Sequence, residues 1–175
     1  MVMGGAGSGK STTARLLADR LDLPVVHIDH MYWAPGWVAR PRDETDRLAR
    51  AAAAAEHWVF DGNHLRSADD RAARADLIVF LDLPLPVRLW RVFRRVACHR
   101  GETRPDMAEG CVEQWPDATF LRFILGYGCD GRLRTRAFLD RWGDRVAVAR
   151  LRSPRAVRAF LDDPGSHVVG PQGGR

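Results

Sequence analysis

The chain has 175 residues, 46% of them apolar, which suffices for one buried core with helices around it and places residues 1–163 in one domain. The net charge of +5 and pI near 9.8 raise the case for a polyanionic partner. Arginines are nevertheless scattered among acids, with no basic tail and no basic patch interleaved with aromatics, so a solvated arginine surface is expected and a nucleic-acid site is not. No run of about 18 apolar residues is available to cross a bilayer, and a glycine-rich turn stands where a signal peptide would need its apolar core, so a cytoplasmic protein without membrane contact is expected.

Residues 1–3 read as the end of an apolar strand. It is short against the usual length of about 5 to 6 residues, which places the natural start upstream of Met1 as an expectation. Residues 4–11 follow as G-G-A-G-S-G-K-S. Gly4, Gly9, Lys10 and Ser11 occupy the fixed positions of G-x-x-x-x-G-K-[ST], a loop that cradles phosphates. Its glycines let the backbone curl N–H groups around an anion, and the next helix aims its positive dipole end at the same point. The expected cradle for ATP is Gly4, Gly7, Ser8, Gly9, Lys10, Ser11 and Thr12, with Lys10 bridging the β- and γ-phosphates and Ser11 holding Mg²⁺ through its hydroxyl. Among 27 lysines and arginines only Lys10 is a lysine; a planar guanidinium does not enter a loop shaped for a compact ammonium.

A helix over 11–23 carries Ala14, Leu16, Leu17, Leu21 and Leu23 as its apolar face. Residues 24–28 form a β-branched strand, and 27–37 an aromatic-rich loop whose Trp33 and Trp37 either stack a planar substrate or pin the loop to the body. A helix over 41–56, with five consecutive alanines, a strand over 58–61, a short helix over 68–74 and a fully buried strand over 77–81 come next. Helices are expected over 86–100 and 117–142, then a strand over 145–151 and a helix over 154–162. Alternating strands and helices define an α/β chain with a parallel sheet covered on both sides. Residues 101–115 lie irregularly between two helices and are the candidate for a mobile lid over about 100–116. Residues 164–175 are expected to be a frayed tail. Cys98, Cys111 and Cys129, odd in number and far apart, are expected as reduced thiols.

In an open parallel sheet the ligand lies beyond the carboxyl ends of the strands. Three aspartates end apolar runs there. Asp61 is assigned to the metal and Asp29 to the acceptor hydroxyl; Asp82 follows the longer apolar run and is the alternative metal partner, although Pro84 marks a strand end. Helix 86–100 places Leu85, Leu89, Val92, Phe93 and Val96 on one side. Arg100 and Arg104 are expected to close over phosphates as catalytic groups, Arg88 is expected on the solvated face, and Arg91 and Arg95 fit either role.

With these segments located, the chain resembles the bacterial topology modulation proteins, a branch of the adenylate-kinase-like P-loop kinases, up to about Ser153. The likeness rests on H-I-D-H-M-Y-W-A-P-G-W at 27–37, D-G-N-H at 61–64 and R-P-D-M-A-E-G-C at 104–111, after which Val112 departs from the group's usual proline. It implies a P-loop NTPase fold with a five-stranded parallel sheet, a short arginine-rich lid and ATP as phosphate donor. Asp61-Gly62 is similar to the strand-three motif of adenylate kinase, implying a Mg²⁺-water role for Asp61, and Asp29 is similar to the acceptor aspartate of uridine-kinase-like enzymes. T-G-D-x-x-R is missing after the second strand and D-G-N-H stands in place of D-G-F-P-R, which argues against AMP as acceptor. The expectation is an ATP-dependent kinase for a small molecule, as monomer or homodimer; the alternative is a nucleotide-binding regulator, linked to DNA topology, that hydrolyses ATP slowly.

Overall fold

The computed structural model describes residues 1–168. In chain order the elements are β1 (Val2–Gly4), α1 (Lys10–Leu21), β2 (Val25–His27), α2 (Ile28–Tyr32), β3 (Trp33–Ala34), β4 (Val38–Ala39), α3 (Arg42–Ala53), β5 (Val59–Asp61), α4 (Ala68–Ala72), β6 (Leu77–Leu81), α5 (Leu85–His99), α6 (Ala118–Gly126), α7 (Gly131–Trp142), β7 (Ala147–Leu151) and α8 (Pro154–Asp162). Five strands form one sheet in the order β2-β5-β1-β6-β7, every neighbouring pair parallel. Such a sheet is buried on both faces because its crossover helices cover both. One core packs Met3, Phe60, Ile78 and Phe80 against Ala49, Ala53 and Phe138 of α3 and α7. The other packs Val2, Val79 and Leu151 against Ala14, Leu17 and Phe160 of α1 and α8. The alanines of α3 thus bring that helix close to the sheet.

Several expectations change in the fold. The helix expected over 117–142 is two helices, α6 and α7. The corner between them is G-Y-G-C-D-G, and the Tyr127 ring turns inward so closely that a Cβ on Gly131 would meet it at 2.5 Å. The aromatic segment expected as a loop becomes α2 and the antiparallel hairpin β3-β4. Leu16 and Leu21 of α1 are exposed, since only the stripe through Ala14, Leu17 and Ala18 meets the sheet. Of the residues expected as a tail, Pro164–His167 form a short 3-10 turn, and 169–175 lie outside the described residues. No helix among the described residues is long and apolar enough to cross a membrane.

Asp82, at the end of β6, ties the sheet to α7. Arg132 Nε donates to its Oδ1 at 2.5 Å, and Arg150 Nη2 and Arg136 Nη2 donate to its Oδ2 at 2.5 and 3.4 Å. Burial opposes the charge, but hydrogen bonds from Arg132 and Arg150 prevail and hold the carboxyl at about 2 against an ordinary 3.8. A carboxylate depressed in the folded state stabilises it above the unfolded pKa, and that stability is lost as pH falls through the folded value. Thermal unfolding followed by circular dichroism should therefore show wild-type stability falling between about pH 4 and 2. Asp82→Asn should lower the Tm at pH 7 and flatten this acid limb; an unchanged limb would show that the cluster contributes nothing.

Candidate phosphate-binding site

The phosphate loop follows β1 directly, and α1 begins at Lys10 with Gly9 as its N-cap, so the helix dipole faces the loop. Gly7 has φ of 76°, and a Cβ there would collide with the Arg88 carbonyl of α5; only glycine combines this backbone turn with this approach. Lys10 Nζ reaches back to Gly5 O at 3.4 Å. Ser8 differs from the other cradle residues. Its hydroxyl is buried beside Gly4 and its N–H donates to Gly5 O at 3.1 Å. Thr12 is exposed in the first turn of α1.

The loop is gripped from two sides, by Asn63 and by two arginines of α5 to which the sequence assigned no such role. Gly4 N donates to Asn63 Oδ1 at 2.8 Å, and Asn63 Nδ2 donates back to Gly4 O at 3.0 Å. Arg91 Nη1 donates to Ser8 O at 2.8 Å and Arg88 Nη1 to Ala6 O at 3.4 Å. Arg88, expected in solvent, is 3% exposed. The buried stripe of α5 is Arg88, Val92 and Val96, an i, i+4 row turned to the loop, and helical period alone does not say which stripe meets a partner. Asn63 is held in turn by Arg71, fully buried, which donates to the carbonyls of Gly62, Asn63 and His64 at 2.9, 2.6 and 3.0 Å. In the sequence Arg71 looks like one more surface arginine of a short helix.

Asp61 is buried at the end of β5, where its register partners are Val2 and His27. His27 Nδ1–H donates to its Oδ2 at 2.8 Å, while Oδ1 is buried without a hydrogen-bond partner. An orphaned carboxylate oxygen of this kind suits the water shell of a hard divalent cation, with Ser11 as hydroxyl donor. Asp82 does not, because its oxygens are already taken by three arginines. Asp29 opens α2. Burial raises its pKa, the Lys10 charge pulls it back and the Asp61 charge adds to the rise, with Arg104 and Asp106 also in range.

The segment 101–113 folds over this centre. Thr103 and Val112 pair as an antiparallel bridge, and Glu113 N donates to Glu102 O at 2.8 Å. Arg104 donates to Glu113 Oε2 at 2.7 Å and to Asp106 Oδ2 at 2.6 Å, and Arg95 donates to Glu113 Oε1 at 2.9 Å. Burial works against the Asp106 charge, yet Arg104 and a hydrogen bond from Ser11 keep its pKa low. The segment is latched to the aromatic hairpin: His30 Nε2–H donates to Pro105 O at 3.0 Å, Trp37 Nε1 to Val112 O at 2.9 Å and Gly36 N to Gly110 O at 3.2 Å. Trp33 and Trp37 meet edge to face at 5.4 Å, so they pin the hairpin. Arg100 is exposed at the end of α5 and is not drawn into the cluster.

This sheet order, phosphate loop and overlying segment make a P-loop kinase fold. Shikimate kinases from Aquifex aeolicus vf5 and, bound to shikimate, from Acinetobacter baumannii align with TM-scores of 0.51 and 0.57, each at 16% identity. The first alignment covers 95% of this chain and 97% of that one, the second 93% and 88%. A gluconokinase from Sinorhizobium meliloti 1021 aligns with a TM-score of 0.51 at 18% identity, over 94% and 91% of the two chains. In sequence the chain is 27% identical over 145 residues to the uncharacterized protein YqaC of Bacillus subtilis (strain 168), covering 81% of this chain and 79% of that protein. No protein-family model matches it.

Asn63→Ala removes both bonds to Gly4 and leaves a buried backbone pair short of partners. It should lower the unfolding free energy by roughly 1–3 kcal/mol and weaken nucleotide binding. Urea denaturation and nucleotide titration check this, and an unchanged midpoint with unchanged affinity would mean that the clamp does not shape the loop.

Proposed function

We propose that this protein is an ATP-dependent phosphotransferase that moves the γ-phosphate of Mg-ATP to a hydroxyl or phosphate of a small molecule. The observation that carries this is the grouping of Lys10, Asp29 and Asp61 at the loop, where the Lys10 and Asp61 charges both act on a carboxylate whose pKa burial has raised. A regulator that only binds nucleotide has no use for a carboxylate held beside the phosphate lysine. The same three motifs that resemble the topology modulation proteins support placing the chain with them.

In this reading the cradle residues Gly4, Gly7, Gly9, Lys10, Ser11 and Thr12 hold the phosphates, while Ser8 shapes the loop from beneath. Ser11, with Asp61 through water, would hold Mg²⁺, which neutralises charge on the β- and γ-oxygens when bound. Asp29 accepts the proton of the acceptor hydroxyl as its oxygen bonds to the γ-phosphorus and the bond to the β–γ bridging oxygen breaks, releasing ADP. Arg104 and Arg95 are held by Glu113 and Asp106, and they exchange these carboxylates for phosphate oxygens as the lid over about 100–116 engages nucleotide. Arg91 joins them along α5. Arg100, being exposed, enters only through movement of the lid.

Transfer from labelled Mg-ATP across a panel of nucleosides, nucleotides and hydroxylated metabolites tests the proposal. Transfer to one compound, lost in Lys10→Ala, establishes the kinase; slow hydrolysis alone across the panel establishes the regulator instead. With the acceptor in hand, Asp29→Asn should cut kcat by about 10²–10⁴-fold while sparing ATP affinity. A base works deprotonated, so the wild-type rate should fall with acid at a pH above the ordinary aspartate value of 3.8. Full transfer by Asp29→Asn would remove Asp29 from the mechanism.

A further inference from the structure

A separate cavity of about 310 Å³ opens between the start of α5, the corner joining α6 to α7 and the ends of β6 and β7, with Asp82, Arg88, Tyr127, Arg132 and Arg152 as its polar walls. No residue of the phosphate loop lines it. Three arginines and one aspartate line it, and Asp82 is already bound by Arg132, Arg136 and Arg150. Arg88 is the telling member. It is 3% exposed, its Nε is buried without a hydrogen-bond partner, and its guanidinium lies 4.9 Å from the centre of the Tyr127 ring. A buried charged donor left unpaired costs free energy, and a turn of the guanidinium toward an anion in the cavity would relieve it.

We propose that this cavity binds the phosphoryl group of a small ligand, and that Arg88 couples its occupancy to the phosphate loop. A phosphoryl group offers several charged oxygens to guanidinium forks, and the volume admits that group with a few further atoms. Coupling follows from contact. Arg88 Nη1 donates to Ala6 O, and both Arg88 and the Tyr127 ring lie against Gly5, where a Cβ would meet them at 2.5 and 2.8 Å. Drawing the guanidinium toward an anion alters the packing on Gly5, so ligand and nucleotide change each other's affinity by the same factor. The inference does not depend on phosphoryl transfer by the chain.

Inorganic phosphate and glycerol 3-phosphate, titrated calorimetrically at fixed ionic strength into the full Lys10→Ala chain, test it with the phosphate loop disabled. Saturable binding is expected, weakened roughly tenfold or more when Arg152→Ala is added. Arg152 is exposed, so an unchanged melting curve confirms that the double variant is folded. Tighter binding of glycerol 3-phosphate assigns an organic phosphate, and tighter binding of inorganic phosphate assigns the free ion. In otherwise wild-type protein the tighter anion should shift ATP affinity, and Arg152→Ala should abolish the shift. Absence of saturable binding, or equal binding with and without Arg152, would overturn the site; a shift in ATP affinity that persists in Arg152→Ala would overturn the coupling.

Discussion

A loop that leaves backbone N–H groups turned to an anion has fewer of them with which to hold itself together, so much of its shape is imposed from outside. Here that constraint organises the molecule. Asn63 closes two hydrogen bonds on Gly4, Arg71 holds the carbonyls around Asn63, and Arg88 and Arg91 reach loop carbonyls from α5. Each support stands on an element packed into the parallel sheet, so the rigidity of the loop is borrowed from the two cores.

Charge is distributed with the same economy. In the overlying segment, buried Asp106 and Glu113 pair with Arg95 and Arg104. Without such partners, arginines gathered over a phosphate loop would repel one another and the positive end of α1. Asp82 shows the other use of an aspartate at a strand end. It is as buried as Asp61, but three arginines saturate it and make it a structural knot between the sheet and α7, whereas Asp61 keeps one oxygen without a partner.

The five-stranded parallel sheet was legible because each strand is a short apolar run bounded by a helix or a turn. The break at Tyr127 was harder to see, since its cause is an aromatic ring turned against Gly5 and Gly131, contacts distant from or transverse to helical period. Arg88 and Arg71 were illegible for a related reason. An arginine in an amphipathic helix is solvated unless another element covers it, and which element does so is a property of packing.

By itself the sequence determined the parallel α/β architecture, the phosphate loop with its single lysine and the strand-end positions of Asp61 and Asp82. Those features depend on local backbone chemistry and on periodicity, which neighbouring residues specify. Tertiary structure alone decided which aspartate is free and which is consumed, that Asn63 and Arg71 brace the loop, that the aromatic hairpin latches the overlying segment, and that Arg88 lies between loop and cavity. Each of these joins residues far apart in the chain, and burial with hydrogen bonding, set only when the elements pack, determines what such a residue does.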